Sequence, residues 1–220
     1  YGVHGFCYYY YWFNGKKLLN HPIEQMLKSG KPDHPFCVCW ANENWSRNWD
    51  GQNKHVLVEQ SYSLESNRAL IREFITMMKD PRYIRHDGKP VVLVYRIRVI
   101  PNWLETAEMW REECRLAGIG EIHLCAVRFG LEPLDGPPAQ FGVDSYVLFP
   151  PHESEKVDVK SDMLDLVPDL NGTIFSYDAV VEGDVKRFEG GYPWPVHRGA
   201  MLRWENTARR ARHSPGGAAQ

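Results

Sequence analysis

A glutamate flanked by asparagines and tryptophans follows a strand-like segment early in the chain. Residues 36–40 read FCVCW, and Asn42, Glu43, Asn44 and Trp45 come directly after them. Because aromatic neighbours would remove water from the carboxylate, Glu43 is suited to donating or relaying a proton near neutral pH. We therefore take Glu43 as a candidate acid/base. The alternative is that Glu43 only accepts backbone N–H bonds in a tight loop.

A similar combination of tryptophan, glutamate and asparagine occurs near the other end of the chain, in RWENTARR at 203–210, where Glu205 follows Trp204. Glycoside chemistry usually needs two carboxylates whose spacing sets the stereochemical outcome. Glu205 is therefore the second candidate catalytic residue, as the partner of Glu43. A structural ion pair between Glu205 and a neighbouring arginine is an equally weighted alternative.

The aromatic content is high, with 8 Trp, 11 Tyr and 9 Phe. Flat aromatic faces beside amides and carboxylates are typical of sugar sites, where the rings stack on C–H faces and the polar groups bind hydroxyls. Arg96, at the end of a strand-like run, is placed to reach a substrate or a carboxylate. Some of the tryptophans have the alternative role of closing the sheet end as core. The candidate substrate-binding residues are His4, Trp12, Asn42, Asn44, Trp45, Trp49, Asp50, Arg96, Trp204 and Asn206.

Apolar strands alternate with amphipathic helical segments along the chain, a pattern that predicts parallel β-structure with helical crossovers. The number of strands favours a barrel over a small open sheet, and in a barrel the chemistry lies on the loops after the strands. The candidates named above lie in such strands or in the loops that follow them. The predicted strands are 2–11, 35–41, 90–96, 122–129, 144–150, 172–177 and 195–204, and the predicted helices are about 20–30, 64–79, 101–118 and 177–188.

Charge and motifs exclude several other classes of function. The net charge is −2, from 26 basic and 28 acidic residues, which lacks the positive field that nucleic-acid binding uses. No apolar run of about 18 residues predicts a transmembrane segment. No HExxH, P-loop or GxGxxG motif is present, so we expect no metal and no cofactor, and His123 is interpreted as a hydrogen-bonded core residue. Five cysteines without CxxC spacing indicate reduced core thiols and a cytoplasmic protein.

The long block YGVHGFCYYYYWFNGKKLLNHPIEQMLKSGKPDHPFCVCWANENWSRNWDG resembles the WbsX-type glycosyltransferase family, also described as glycoside hydrolase family 99-like. PVVLVYR, FPPH, YDAVVE and RWENTARR follow in the order of that family. The resemblance implies an α/β fold, a (β/α)8 TIM-type barrel that is incomplete at both ends here. We expect 1–205 to form a partial barrel domain and 206–220 to be a helix start or a disordered tail.

The resemblance also implies a carbohydrate-active enzyme of bacterial surface-polysaccharide biosynthesis, including lipopolysaccharide O-antigen, with an oligosaccharide or polysaccharide substrate. Glu43 stands on the family's central motif. Two positions depart from the family pattern, which usually has Asp at Glu205 and Glu at Leu148. The histidine-led glutamate motif of family 99 endo-mannosidases is absent, so their mechanism transfers only as an analogy.

Two kinds of reaction and one non-catalytic role stay open at this point. The enzyme is either a glycosyltransferase or a glycoside hydrolase. The absence of an Asp-x-Asp motif for a nucleotide sugar favours hydrolase-like chemistry on physical grounds. The alternative from another class is a non-catalytic glycan-binding barrel, in which the tryptophans matter for affinity and Glu43 does not.

Overall fold

A computed structural model describes residues 2–46, 56–130, 132–154, 156–159 and 173–205. The strands are β1 (Phe6–Phe13), β2 (Lys16–Leu18), β3 (Phe36–Trp40), β4 (Trp45–Ser46), β5 (Val56–Val58), β6 (Arg85–His86), β7 (Lys89–Val94), β8 (His123–Arg128), β9 (Ser145–Leu148) and β10 (Val196–His197). The helices are α1 (His21–Ser29), α2 (Leu64–Met78), α3 (Trp103–Leu116) and α4 (Tyr177–Glu189).

One mostly parallel sheet organises the chain, in the order β10-β9-β8-β7-β3-β1-β2, with β6 paired to β7. The strands from β1 to β10 along this path are parallel, and only β2 and β6 run antiparallel to their neighbours. The prediction of a parallel α/β sheet is confirmed, and so is the parallel pairing of the first two predicted strands. In the part of the chain that the structure describes, β10 and β2 are the two ends of the sheet, and no closed barrel is seen.

Three helices cover one face of this sheet. Parallel strands in chain order, joined by right-handed crossovers, place their helices on the same side. In α2, the hydroxyl of Ser63 caps the helix by accepting the backbone N–H of Ser66, and the apolar stripe of the helix packs on the sheet. The buried cluster on this side includes Ile23, Met26, Leu70, Phe74, Trp103, Ala107 and Trp110 from the helices and Tyr10, Trp12, Val38, Trp40, Val92 and Val94 from the strands.

The opposite face of the sheet is partly exposed to solvent and is lined by aromatic rings and thiols. Because successive strand residues alternate faces, Tyr10 is 2% exposed among the helices whereas Tyr9 is 43% exposed on the other side. The tyrosine run at 8–11 is therefore divided between the two faces of the sheet. Buried Cys39, Val127 and Phe129 form a second small cluster on the open face.

Helix α3 begins two residues after Pro101, close to its predicted start. Leu104 and Leu116 lie on its solvent side, where they are 60% and 75% exposed. The buried side carries Trp103, Trp110 and other residues that follow the same helical spacing from a different starting point. The tryptophan indoles supply more apolar area than leucine, so they set which side of the helix faces the core.

The predicted strand at 172–177 is not a strand of the sheet in its described residues. Phe175 makes a single antiparallel bridge to Asp158, and Ser176 is already the N-cap of α4. The last predicted strand is also shorter, since β10 comprises Val196 and His197 only. In the part of the chain that the structure describes, no helix has the length and apolar character needed to cross a membrane.

Candidate functional site

Asn42 ties together the carboxyl ends of β3 and β7. Its Oδ1 accepts the backbone N–H of Arg96 at 2.9 Å, and its Nδ2 donates to the Arg96 carbonyl at 2.8 Å. The Asn42 side chain is fully buried, so these bonds satisfy backbone groups that have left the strand ladder. Residues 43 and 96 are therefore held side by side at the end of neighbouring strands.

Arg96 lies between two carboxylates. Its Nη1 is 2.8 Å from Oε1 of Glu43, and its Nε is 3.4 Å from Oε2 of Glu132. Burial alone would lower the pKa of Arg96, but the hydrogen bonds and charges of Glu43 and Glu132 outweigh it and raise the pKa. The guanidinium is a permanent cation that orients Glu43.

Glu132 was missed by the sequence reasoning, although its side chain is only 1% exposed. It follows β8 by four residues, and its Oε1 accepts the backbone N–H of Arg98 at 2.7 Å. The surrounding run LEPLDGPP reads as a surface loop, which hid this carboxylate. The available signal was its position after an apolar strand, the same rule that pointed to Glu43.

Trp40 and Trp45, the tryptophans near Glu43 in the described part of this segment, do not enclose it. Trp40 is fully buried on the helix side, where its Nε1 donates to the Trp12 carbonyl. Trp45 packs edge-on against Tyr11 at a centroid distance of 5.2 Å. The Glu43 side chain is 41% exposed and paired with Arg96, so the expected removal of water is not observed.

A group of packed aromatic rings begins at Tyr95, the residue before Arg96. Tyr95 stacks on Phe129 at 4.9 Å and meets Phe149 edge-on at 5.5 Å. Burial, with a further contribution from the charge of Glu43, raises the pKa of Tyr95 to about 12. Tyr95 therefore keeps its proton at neutral pH and is able to donate it in a hydrogen bond.

His152 connects the Glu43 region to a cavity. Its ring stacks on Phe149 at 5.6 Å. Burial and the charge of Lys156 lower the pKa of His152, while the charge of Glu43 opposes them. The neutral ring is thus an available hydrogen-bond partner within electrostatic reach of Glu43.

The cavity measures about 610 Å³ and is formed by segments that follow β9 and β10 and by the start of α4. A Cβ on Gly199 would lie 2.5 Å from Cδ of Pro150, so glycine permits these two segments to approach. Trp204 is 52% exposed, and it borders the cavity together with Glu205. The lining includes His152, Lys156, Phe175, Tyr177, Trp204 and Glu205.

Other predicted site residues have different positions or roles. His4 precedes β1 and so lies at the amino end of that strand, away from the strand ends that carry Glu43. Trp12 is 6% exposed and donates from Nε1 to the Ser66 hydroxyl on the helix side. Asn44 accepts the backbone N–H of Gln60 at 2.6 Å and so orders the loop. Trp49, Asp50 and Asn206 lie outside the described residues.

Near Glu43, at the carboxyl ends of the strands, the described residues include carboxylates but no cluster of His and Cys side chains. One group of described residues could hold a metal ion: His123, Cys125 and His197. It lies elsewhere, toward the amino ends of β8 and β9. Residue spacing does not reveal this group, because His197 of β10 is distant in the chain from His123 and Cys125 of β8.

Comparison with known proteins identifies relatives over nearly the whole chain. Residues 1–215 match the family model described as Glycosyltransferase WbsX. Two proteins called "Uncharacterized protein WxcX", from two strains of Xanthomonas campestris pv. campestris, are each 38% identical over 211 residues. The match covers 96% of this chain and 30% of each relative, so the chain spans less than a third of their length.

A solved structure described as "Glycoside hydrolase-like protein" also aligns with this chain. The TM-score is 0.49 and the sequence identity is 12%, with 90% of this chain and 58% of that chain covered.

Proposed function

The chain belongs to the Glycosyltransferase WbsX family, and from that membership and the geometry of its carboxyl edge we propose that it is a carbohydrate-active enzyme that makes or cleaves glycosidic bonds at Glu43. The observation that carries the proposal is the fixed position of Glu43. Arg96 holds one carboxylate oxygen at 2.8 Å, and Asn42 locks the Arg96 backbone in place. A reacting group held by rigid strand ends meets the requirement for precise orientation.

The pairing with Arg96 selects among the roles open to Glu43. A carboxylate oxygen that accepts a hydrogen bond from a guanidinium is oriented to act as a base, a nucleophile or a hydroxyl acceptor. Nη1 of Arg96 holds Oε1 of Glu43, and the Glu43 side chain is 41% exposed, so the carboxylate is accessible to a sugar. We therefore assign Glu43 the base or nucleophile role.

Glu205 is the proposed second carboxylate. It borders the cavity beside Trp204, in the segment that follows β10. In this role Glu205 protonates the leaving-group oxygen while Glu43 acts on the sugar carbon or on the attacking hydroxyl. The family pattern has a shorter carboxylate at this position, which is compatible with the same role.

The cavity fits a glycan in size and chemistry. Its volume of about 610 Å³ lies within the range of small-ligand sites. Trp204 and Tyr177 provide exposed aromatic surface, and His152 and Lys156 provide polar partners for hydroxyls or for an acidic sugar. The proposed substrate is an oligosaccharide or polysaccharide of bacterial surface-polysaccharide synthesis, such as lipopolysaccharide O-antigen.

We also propose that the parallel strands are part of a (β/α)8 barrel in the whole protein. Support comes from the strand order, which follows the chain from β1 through β3, β7, β8 and β9 to β10 without a reversal. A doubly wound sheet would show such a reversal and would carry helices on both faces. The aromatic and thiol-lined open face would then be the barrel interior.

The direct test uses the full-length product of the gene. It is incubated with α- and β-glycosides, and separately with nucleotide sugars and oligosaccharide acceptors, beside Glu43→Gln. Glu24→Gln, which removes an exposed carboxylate on α1, is the matched control. Hydrolysis or transfer that disappears only in Glu43→Gln supports the proposal and identifies the reaction.

The contrary result is equally clear. Glycan binding without turnover, retained in Glu43→Gln but lost in Trp45→Ala, would identify a non-catalytic glycan-binding protein and overturn the proposal.

A further inference from the structure

A second cluster of chemically active side chains lies away from Glu43, where β8, β9 and β10 run side by side. Cys125 of β8 is the register partner of Ser145 of β9, and His197 of β10 is the partner of Val147 in β9. His123 precedes Cys125 by two residues and so points to the same face of the sheet. Parallel pairing thus brings together His123 and His197, which are 74 positions apart in the chain (197 − 123).

The side chains converge on one point. The hydroxyl of Ser145 lies 2.8 Å from Nε2 of His123, 3.1 Å from Nε2 of His197 and 3.2 Å from Sγ of Cys125. The ligating atoms of the two histidines and the cysteine all lie within 4.8 Å of one another. Such convergence of two imidazoles and a thiol exceeds what a single serine hydroxyl needs.

A third imidazole borders the cluster. The His86 ring, from the short strand β6, lies 4.5 Å from the His123 ring and 6.0 Å from the His197 ring, measured between centroids. Three histidine rings in mutual contact are unusual for an apolar sheet face, where a neutral packing residue would be less costly to bury.

We propose that His123, Cys125 and His197 bind a divalent metal ion of the zinc class, with His86 or a water molecule in the fourth position. Two imidazoles and one thiolate form a donor set that suits Zn²⁺ and its analogue Co²⁺. Zinc bonds of about 2.0 to 2.3 Å require ligating atoms roughly 3.3 to 3.8 Å apart, so the side chains close up slightly around the ion. Ser145 then turns from the centre of the cluster to a supporting hydrogen bond.

Metal ligation needs a deprotonated thiol. The ion therefore displaces the thiol proton of Cys125, which passes to solvent on binding.

The position of the cluster indicates a structural ion. It lies toward the amino ends of β8 and β9, whereas Glu43, Arg96 and Glu132 lie beyond the carboxyl ends of their strands. An ion held by β8 and β10 would fasten together strands on either side of β9. The inference is independent of the reaction at Glu43.

The test is cobalt binding to the full-length protein after treatment with a chelator. We expect one equivalent of Co²⁺ and a thiolate-to-cobalt charge-transfer band. Cys125→Ser should abolish the band, and His197→Gln should weaken binding by more than about tenfold, the lower scale for disturbing a metal site. Cys114→Ser, at a buried cysteine of α3, and His21→Gln, at an exposed histidine, should leave both unchanged.

Circular dichroism of each variant checks that it folds. His197 is exposed, so its replacement keeps the test valid even if Cys125→Ser fails to fold. Absence of stoichiometric binding by the folded native protein, or binding that is unchanged in His197→Gln, would overturn the proposal.

Discussion

Nη1 of Arg96 lies 2.8 Å from Oε1 of Glu43, across the carboxyl ends of the neighbouring strands β7 and β3. The same guanidinium reaches the buried Glu132, so its charge is shared between a carboxylate in the interior and one that faces solvent. A single arginine thereby anchors the proposed reacting group to the core of the sheet.

Replacement of Arg96 should expose the cost of the buried carboxylate. In Arg96→Gln, Glu132 loses its cation while its side chain stays 1% exposed. Stranding a buried charge typically costs about 3 kcal/mol or more, so we expect the free energy of unfolding to fall by roughly that amount. Urea denaturation measures it. The control is Arg98→Gln, whose side chain bonds the Pro133 carbonyl. Equal stability of the two variants would contradict the role given to Arg96.

Asn42→Ala should damage both stability and turnover. It leaves the backbone N–H and carbonyl of Arg96 without their partners, and an unpaired buried group costs about 1 to 3 kcal/mol. Glu43 also loses its fixed position, so kcat should fall while the Kd for glycan changes less. Thermal unfolding and steady-state kinetics check the two effects. Asn44→Ala, which removes a single bond, from the backbone N–H of Gln60, should be milder in both.

Trp204→Ala should weaken glycan binding. Trp204 is half exposed at the border of the cavity, so its removal affects the ligand more than the core. Loss of an aromatic stacking contact of about 1 kcal/mol corresponds to roughly a fivefold to tenfold rise in Kd. Titration calorimetry measures it. Trp12→Phe is the comparison, because Trp12 is buried by the helices, and it should lower stability without changing Kd.

The ion pairs between α2 and α3 should make the free energy of unfolding depend on pH in the acidic range. The hydrogen bond from Arg72, opposed by burial and assisted by Arg68, lowers the pKa of Glu113. A lowered carboxyl pKa stabilises the folded state above the unfolded pKa of about 4.3, and this stabilisation is lost as the pH falls through the folded pKa. Glu113→Gln should therefore be less stable than the native protein at pH 7. The difference in stability should vanish once the pH is below the folded pKa of Glu113. Urea unfolding curves recorded from pH 7 down to that range measure it.

Much of the fold follows from periodicity in the sequence. The apolar runs at β1, β3, β7 and β8 and the amphipathic stripe of α2 predict a parallel sheet with helical crossovers, and the sheet order confirms it. The failure at 172–177 has a physical reason. A short apolar run flanked by turns is compatible with a strand, but the N-cap at Ser176 starts α4 instead.

The candidate site was predicted less completely, because it depends on which strand ends meet. Glu43 and Arg96 were named separately from their positions after strands, and their ion pair required the β3 and β7 register. Glu132 was hidden in a loop-like run. Trp12 was taken for a sugar contact although the period of two places it on the same face as the buried Tyr10. Residue spacing along the chain does not predict contacts between side chains that are distant in sequence.

The measurement that tests the central claim most directly is a parallel determination of kcat and glycan Kd for Glu43→Gln on the substrate that the native full-length protein turns over. Glutamine preserves size and hydrogen bonding but removes the carboxylate. We predict that kcat falls by more than about 10²-fold, the scale of a positioned acid or base, while Kd changes by less than about threefold. A kcat within about threefold of the native value would contradict the assignment of Glu43 as the reacting group.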